Sequence, residues 1–186
     1  MLKPNLWTIA ALICLAALSR IAPHWWNLTA VGAVCLFGGA YFERKWLAFL
    51  VPLAALAISD VFLQTFVYRG MGPNYFKYVC FAVTVPLGML LQGRTRLVPV
   101  ASAAVGAAAL FFLLSNFAVW YAGDGTGQER MYPFTPAGLL ACYIAAIPFS
   151  LNALYGNLVF SGLLFGGMEF YRSALAHRNR KAVIAT

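Results

Sequence analysis

The 186-residue chain is 62% hydrophobic and only 10% charged, with a mean hydropathy of +0.78. No soluble domain of this size can hide that much apolar surface, so lipid is the expected solvent for most of it. A formal charge of +8 would suggest nucleic acid in a soluble protein, but here the basic residues fall between apolar runs, where they set topology, and no nucleic-acid partner is expected.

Six apolar spans are predicted, at 5–20, 28–42, 46–66, 74–92, 97–121 and 137–171, in a single domain covering 1–186. The first mimics a signal peptide. Its best cleavage site, Ala17-Leu18-Ser19, runs straight into Arg20, and a retained span is the expectation. The last is too long for one straight span, and Pro148 is expected to kink or break it. The fold class is therefore an all-α integral membrane bundle.

Placing the N-terminus in the cytoplasm gives an inner set of nine basic residues: Lys3, Arg44, Lys45, Arg94, Arg96, Arg172, Arg178, Arg180 and Lys181. It leaves four outside: Arg20, Arg69, Lys77 and Arg130. The positive-inside rule then puts both termini in the cytoplasm. The inner loops are tight turns. The outer loops, around His24 and Asn27, around Tyr68 and Arg69, and from Trp120 to Pro136, are longer and carry aromatic, Gly, Pro and hydrogen-bonding residues. An interfacial aromatic belt explains much of the Trp and Tyr. It does not explain why polar groups collect on one side.

Intramembrane polar residues point to the same side. Asp60 lies roughly 21 Å along its helix from the inner loop, at 1.5 Å per residue. Ser115 and Asn116 fall in the outer part of span five, and Tyr143 and Asn152 flank Pro148. An ionisable group at this depth should face a cavity or a partner. For Asp60 two roles stay open: a structural pair with Lys77, or a place in a ligand cavity.

The fourth span holds the most informative stretch. Gly72 to Asn74 form a turn that leads into a helix, and at helical spacing Lys77, Cys80, Thr84 and Gly88 share one face. Tyr75, Val79, Ala82 and Pro86 fall on the other. A membrane cysteine is commonly a small packing residue. Here the thiol sits in a polar stripe with an ammonium one turn above, which would favour the nucleophilic, metal-binding thiolate.

Several chemistries are absent. There is no P-loop, HExxH or GxSxG, and His24 and His177 are the only histidines. The four cysteines show no CxxC spacing. The small residues of span one (Ala10, Cys14, Ala17) and span five (Ala101, Ser102, Ala104, Gly106, Ala108, Ala109) suit close helix packing, within the bundle or against another subunit.

The ordered set Arg20-x-x-Pro23-His24-x-x-Asn27, Phe37-Gly38-Gly39-Ala40-Tyr41-Phe42, Ser59-Asp60, Ser115-Asn116-x-x-x-Trp120, Gly138-x-x-x-Cys142-Tyr143, Ile147-Pro148-Phe149-x-x-Asn152 and Leu164-Phe165-Gly166 resembles small S-components of energy-coupling-factor (ECF) transporters. It is most similar to the solitary vitamin B12 type of Gram-negative bacteria, the BtuM type. The resemblance covers nearly the whole chain. It implies a six-helix S-component fold in the bacterial inner membrane, a cobalamin site facing the periplasm, and Cys80 as the axial ligand of the cobalt. It implies no cofactor of the protein's own. An ECF transmembrane and ATPase module is the partner open to such a component, beside cobalamin and the lipid bilayer. Where module-sharing S-components carry Ala-x-x-x-Ala in span one, this chain has Ala10 and Cys14, which agrees with a solitary type.

On this reading Asp60, Tyr75, Lys77, Thr84, His24, Asn27, Tyr68, Arg69, Asn116, Trp120 and Tyr143 are the candidate substrate-binding residues. Thiolate donation from Cys80 would labilise a cyanide on the opposite face, a decyanation activity. His24 is the competing axial ligand. Two other readings stay open: an S-component for thiamin or riboflavin, and a membrane scaffold subunit that transports nothing.

Overall fold

The computed structural model describes residues 6–18, 30–66, 75–123 and 130–184. These form six helices and no strand: α1 (Leu6–Leu18), α2 (Val31–Tyr41), α3 (Lys45–Phe66), α4 (Phe76–Met89), α5 (Leu97–Ala122) and α6 (Pro136–Ile184). The hydropathy runs place all six. Three of them, α3, α5 and α6, are long and apolar enough to cross a bilayer, whereas α2 and α4 are shorter apolar helices. Among the described residues three of the six expected spans thus reach bilayer length, and α2 is short, as its 28–42 span predicts.

Local chemistry explains the ends. Thr135 Oγ1 accepts a hydrogen bond from the Gly138 N–H at 3.1 Å, and Pro136 takes the first helical position, where its missing N–H costs nothing. Gly123 closes α5 with φ of 82°, a conformation that residues with a Cβ rarely adopt. Pro148 does not break α6, which runs 49 residues as one α-helix. Pro52 and Pro86 also sit inside helices. Prolines are tolerated in apolar helices where neighbouring groups take up the freed carbonyls.

The bundle is built around α2. It packs against all five other helices, and those five close a ring in the order α1, α3, α4, α5, α6 and back to α1. Every residue from Val31 to Tyr41 is buried. A helix that is apolar on every face belongs in such a position. Its glycines let the neighbours approach closely. A Cβ on Gly39 would meet the Val85 carbonyl and the Gly88 backbone, and one on Gly38 would lie 2.8 Å from Pro52. Gly88 of α4 returns the contact, pressed on the Leu36 backbone. Small residues at helix crossings allow this approach and the dispersion contacts that go with it.

The end of the bundle that carries the short turns 42–44 and 90–96 is tied by side chains. Phe37 packs on Tyr41 (4.6 Å) and Phe165 (5.4 Å between ring centres). Gln92 donates to the Gly39 carbonyl, and Glu169 accepts from both Thr95 and Arg172, whose guanidinium lies over the Tyr41 ring. At the far end the frame differs. Residues 31–41 make α2 only about 16 Å long, and Gly32, in its first turn, abuts Asn157. Most of α6 before Asn157, and the second half of α5, therefore extend beyond the central helix.

Candidate functional site

The stripe expected on α4 faces inward. Cys80 and Thr84 have no exposure, and Gly88 is buried, while Tyr75, Val79, Val83 and Pro86 are exposed. Thr84 donates to the Phe81 carbonyl at 2.7 Å and lies against the Cys35 thiol of α2. Since α2 and α4 run in the same direction, that pairing sets Cys80 level with the first turn of α2. The thiol thus stands where the central helix begins.

One turn further out, α3 and α4 are joined by polar groups. Lys77 Nζ lies 2.8 Å from Asp60 Oδ2, and the Tyr78 hydroxyl donates to the same oxygen at 2.7 Å. Of the two roles open to Asp60, the pair with Lys77 is formed. It alters one expectation: the Lys77 ammonium is engaged with a carboxylate, so it is not a charge held free for the Cys80 thiol. Tyr78 was missed by sequence reasoning. Its signal was an aromatic hydroxyl beside Lys77, one turn inside an apolar helix, where a polar atom needs a partner.

A second group lines α5 and α6. A cavity of about 140 Å³ is bounded by Ala108, Phe111, Phe112, Ser115, Asn116, Ala146, Phe149, Ser150 and Ala153. Sites for drug-sized molecules run to about 300–1,000 Å³. Ser115 and Asn116 turn their donors back to the Phe111 and Phe112 carbonyls. Tyr143 donates to the Leu113 carbonyl at 2.9 Å, and the Cys142 thiol to that of Asn116 at 3.5 Å, stitching α6 to α5. Phe111 stacks on Phe81 at 4.7 Å, linking the cavity wall to the residue after Cys80. Trp120 lies further out, stacked on Phe134 at 4.4 Å and bonded to the Pro133 carbonyl.

The chain belongs to the family DUF6580. This is a family of unknown function, and the match covers residues 1–180. No curated protein and no solved structure matches the chain. The match spans α1 to α5 and all of α6 up to residue 180.

Within this DUF6580 chain the predicted residues divide. Asp60, Lys77, Cys80 and Thr84 are gathered on α3 and α4. Asn116 and Tyr143 stand together across α5 and α6, with Trp120 apart from them at the far end. Tyr75 is 72% exposed at the start of α4 and belongs to neither group. His24, Asn27, Tyr68 and Arg69 lie outside the described residues. Of the small-residue faces, Ala104 and Ala108 of α5 are buried within the bundle, whereas Ser102 and Ala109 of α5 and Cys14 of α1 are exposed.

Proposed function

We propose that this chain is an integral membrane importer of cobalamin, a solitary S-component-like protein, with Cys80 supplying one axial ligand to the cobalt of its cargo. The observation that carries the reading is the place of the thiol: on the inward face of α4, level with the described start of α2. The ordered residue pattern shared with cobalamin S-components supports the same cargo. A corrin brings four equatorial nitrogens, so a single soft donor from the protein suffices. The far half of the ring supplies aromatic walls at Phe81, Phe111 and Phe112 and polar groups at Asp60, Lys77, Tyr78, Asn116 and Tyr143, a mixture suited to an amide-fringed macrocycle. The distribution of basic residues supports an orientation with both termini in the cytoplasm and the far end toward the periplasm.

The chemistry follows from the donor. The Cys80 sulfur takes the axial site that the cobalamin's own nucleotide base leaves, and a cyanide on the opposite face departs with its electron pair, taking up the proton given up by the thiol as hydrogen cyanide, while water takes its place. Cobalt remains trivalent, and no reductant is needed. In this proposal decyanation is ligand exchange that accompanies capture. An ECF module remains the proposed partner class for energising import.

The test is optical. Purified protein incubated with cyanocobalamin should retain a coloured corrinoid with a shifted spectrum. Cys80→Ala should abolish the shift and weaken retention by about tenfold or more, the loss of a metal–ligand bond. An unshifted wild-type spectrum, or an unaltered Cys80→Ala complex, would refute the ligand assignment. The modest size of the α5–α6 cavity favours a second reading, a smaller aromatic vitamin bound near Asn116. Retention of thiamin or riboflavin by Cys80→Ala protein, with no corrinoid retained by wild type, would establish it.

A further inference from the structure

We propose that Asp60, Lys77 and Tyr78 form a closure over Cys80, so that a ligand reaches the thiol only when this α3–α4 cluster opens. The inference deepens the reading of Cys80 as the residue that meets the cargo. Exposure falls to zero within one helical turn. The Lys77 side chain is 25% exposed, the Asp60 side chain 6%, and Cys80, three residues on along the same face, not at all. The route from the near end is shut by backbone. Gly88 rests on Leu36, and Gly39 on Val85 and Gly88, with no room even for a methyl group. Thr84, between that contact and Cys80, is also fully buried. On the far side of Cys80, two α4 side chains converge on one carboxylate oxygen of α3.

The chemistry of the cluster suits a closure. The buried anion holds two donors from successive residues of α4, a cation and a hydroxyl. Both contacts join side chains across a helix seam, so they can part without breaking any backbone hydrogen bond. A cargo rich in amide groups can offer replacement partners to Asp60 and Lys77 as they separate, which removes the cost of stranding either one. Opening and binding are then linked: a ligand that satisfies the separated groups stabilises the open state. None of the three acts on the cobalt or its leaving ligand; they govern access to Cys80.

The closure is tested by thiol labelling of the full chain, purified in detergent without cobalamin. N-ethylmaleimide modification is followed separately at each cysteine by peptide mass spectrometry. In the wild type Cys14, which is exposed, should label fast, and Cys80 and Cys35, both fully buried, slowly. Asp60→Asn should raise the Cys80 rate by about tenfold or more, since a buried cation loses its counter-charge. Tyr78→Phe should raise it by a smaller factor. In both variants the Cys35 rate should stay at the wild-type value. The exchange Asp60→Lys with Lys77→Asp restores opposite charges across the seam and should return Cys80 toward its protected rate. An unchanged Cys80 rate in Asp60→Asn would overturn the closure. So would a parallel rise at Cys35, which would mean that the whole bundle had loosened. Because no corrinoid is present, this result is independent of the cargo: increased labelling in a protein that never retains cobalamin would sink the cargo and leave the closure standing.

Discussion

Gly88→Leu should leave little folded protein. The Gly88 Cα lies where α4 touches the α2 backbone, and even a methyl group there would meet Leu36 main-chain atoms. These are not the ends of flexible side chains, so relief requires the two helices to separate. Overpacking a close-packed interior typically costs 1–3 kcal/mol, and the upper end or beyond is expected where backbone is the obstacle. The separation would also strip contacts around Gly39, whose space is bounded by Val85 and Gly88. Size-exclusion chromatography of detergent-solubilised protein, with thermal unfolding of any monodisperse fraction, should show aggregation for Gly88→Leu and a large fall in midpoint for Gly88→Ala. Gly162→Ala is the control. It lies in α6 with open space around it and should be neutral or slightly stabilising, because alanine is the better helix former. A Gly88→Ala protein as stable as Gly162→Ala would show that the α2–α4 contact is not as tight as described.

Lys77→Met should destabilise more than its own surface position suggests, and adding Asp60→Leu should recover most of the loss. The single change removes the cation from a carboxylate that is nearly buried, leaving the Tyr78 hydroxyl as the remaining donor of the described pair. Breaking a buried pair at one partner costs about 3–5 kcal/mol, whereas replacing both by apolar groups of similar volume is often neutral. Lys77 keeps a quarter of its side chain exposed, so the lower end of that range applies. The pattern is measured by unfolding the two single variants and the double variant in the same detergent. Equal stability of Lys77→Met and the double variant would mean that Asp60 finds compensation without its cation.

The helices were legible because long apolar runs are separated by basic residues, but α6 runs on to Ile184, past the predicted end at 171, because the basic tail that closes the apolar run does not close the helix. The inward face of α4 was legible from 100° periodicity alone: Lys77, Cys80, Thr84 and Gly88 fell on one side, and the structure buries the last three. The central place of α2 was harder to see. A helix apolar all round gives no amphipathic signal, and its clue was composition, with Gly32, Gly38 and Gly39 among small residues in a short run. Pro148 interrupts the donor ladder of α6 without ending the helix, so of the expected kink or break the break does not occur. Tyr78 was hidden by its chemistry, since a tyrosine near the end of a span reads as an interfacial anchor until its hydroxyl is seen to reach Asp60. The α5–α6 cavity depends on how Ala108 and Ala146 leave space between larger neighbours. That is a matter of three-dimensional packing, which spacing along a chain does not encode.

The encircled position of α2 bears on how the chain is made. Translation completes this helix at Tyr41, well before Pro136, where the last of its five neighbours begins. Until then the flank that will receive Asn157 and Phe165 has no protein against it. The short, glycine-rich helix must wait, held by α1 and α3 or by the insertion machinery, while the wall around it is assembled. Biogenesis of this protein should accordingly be most vulnerable to changes late in the chain: lesions in α6 would strand a segment synthesised long before.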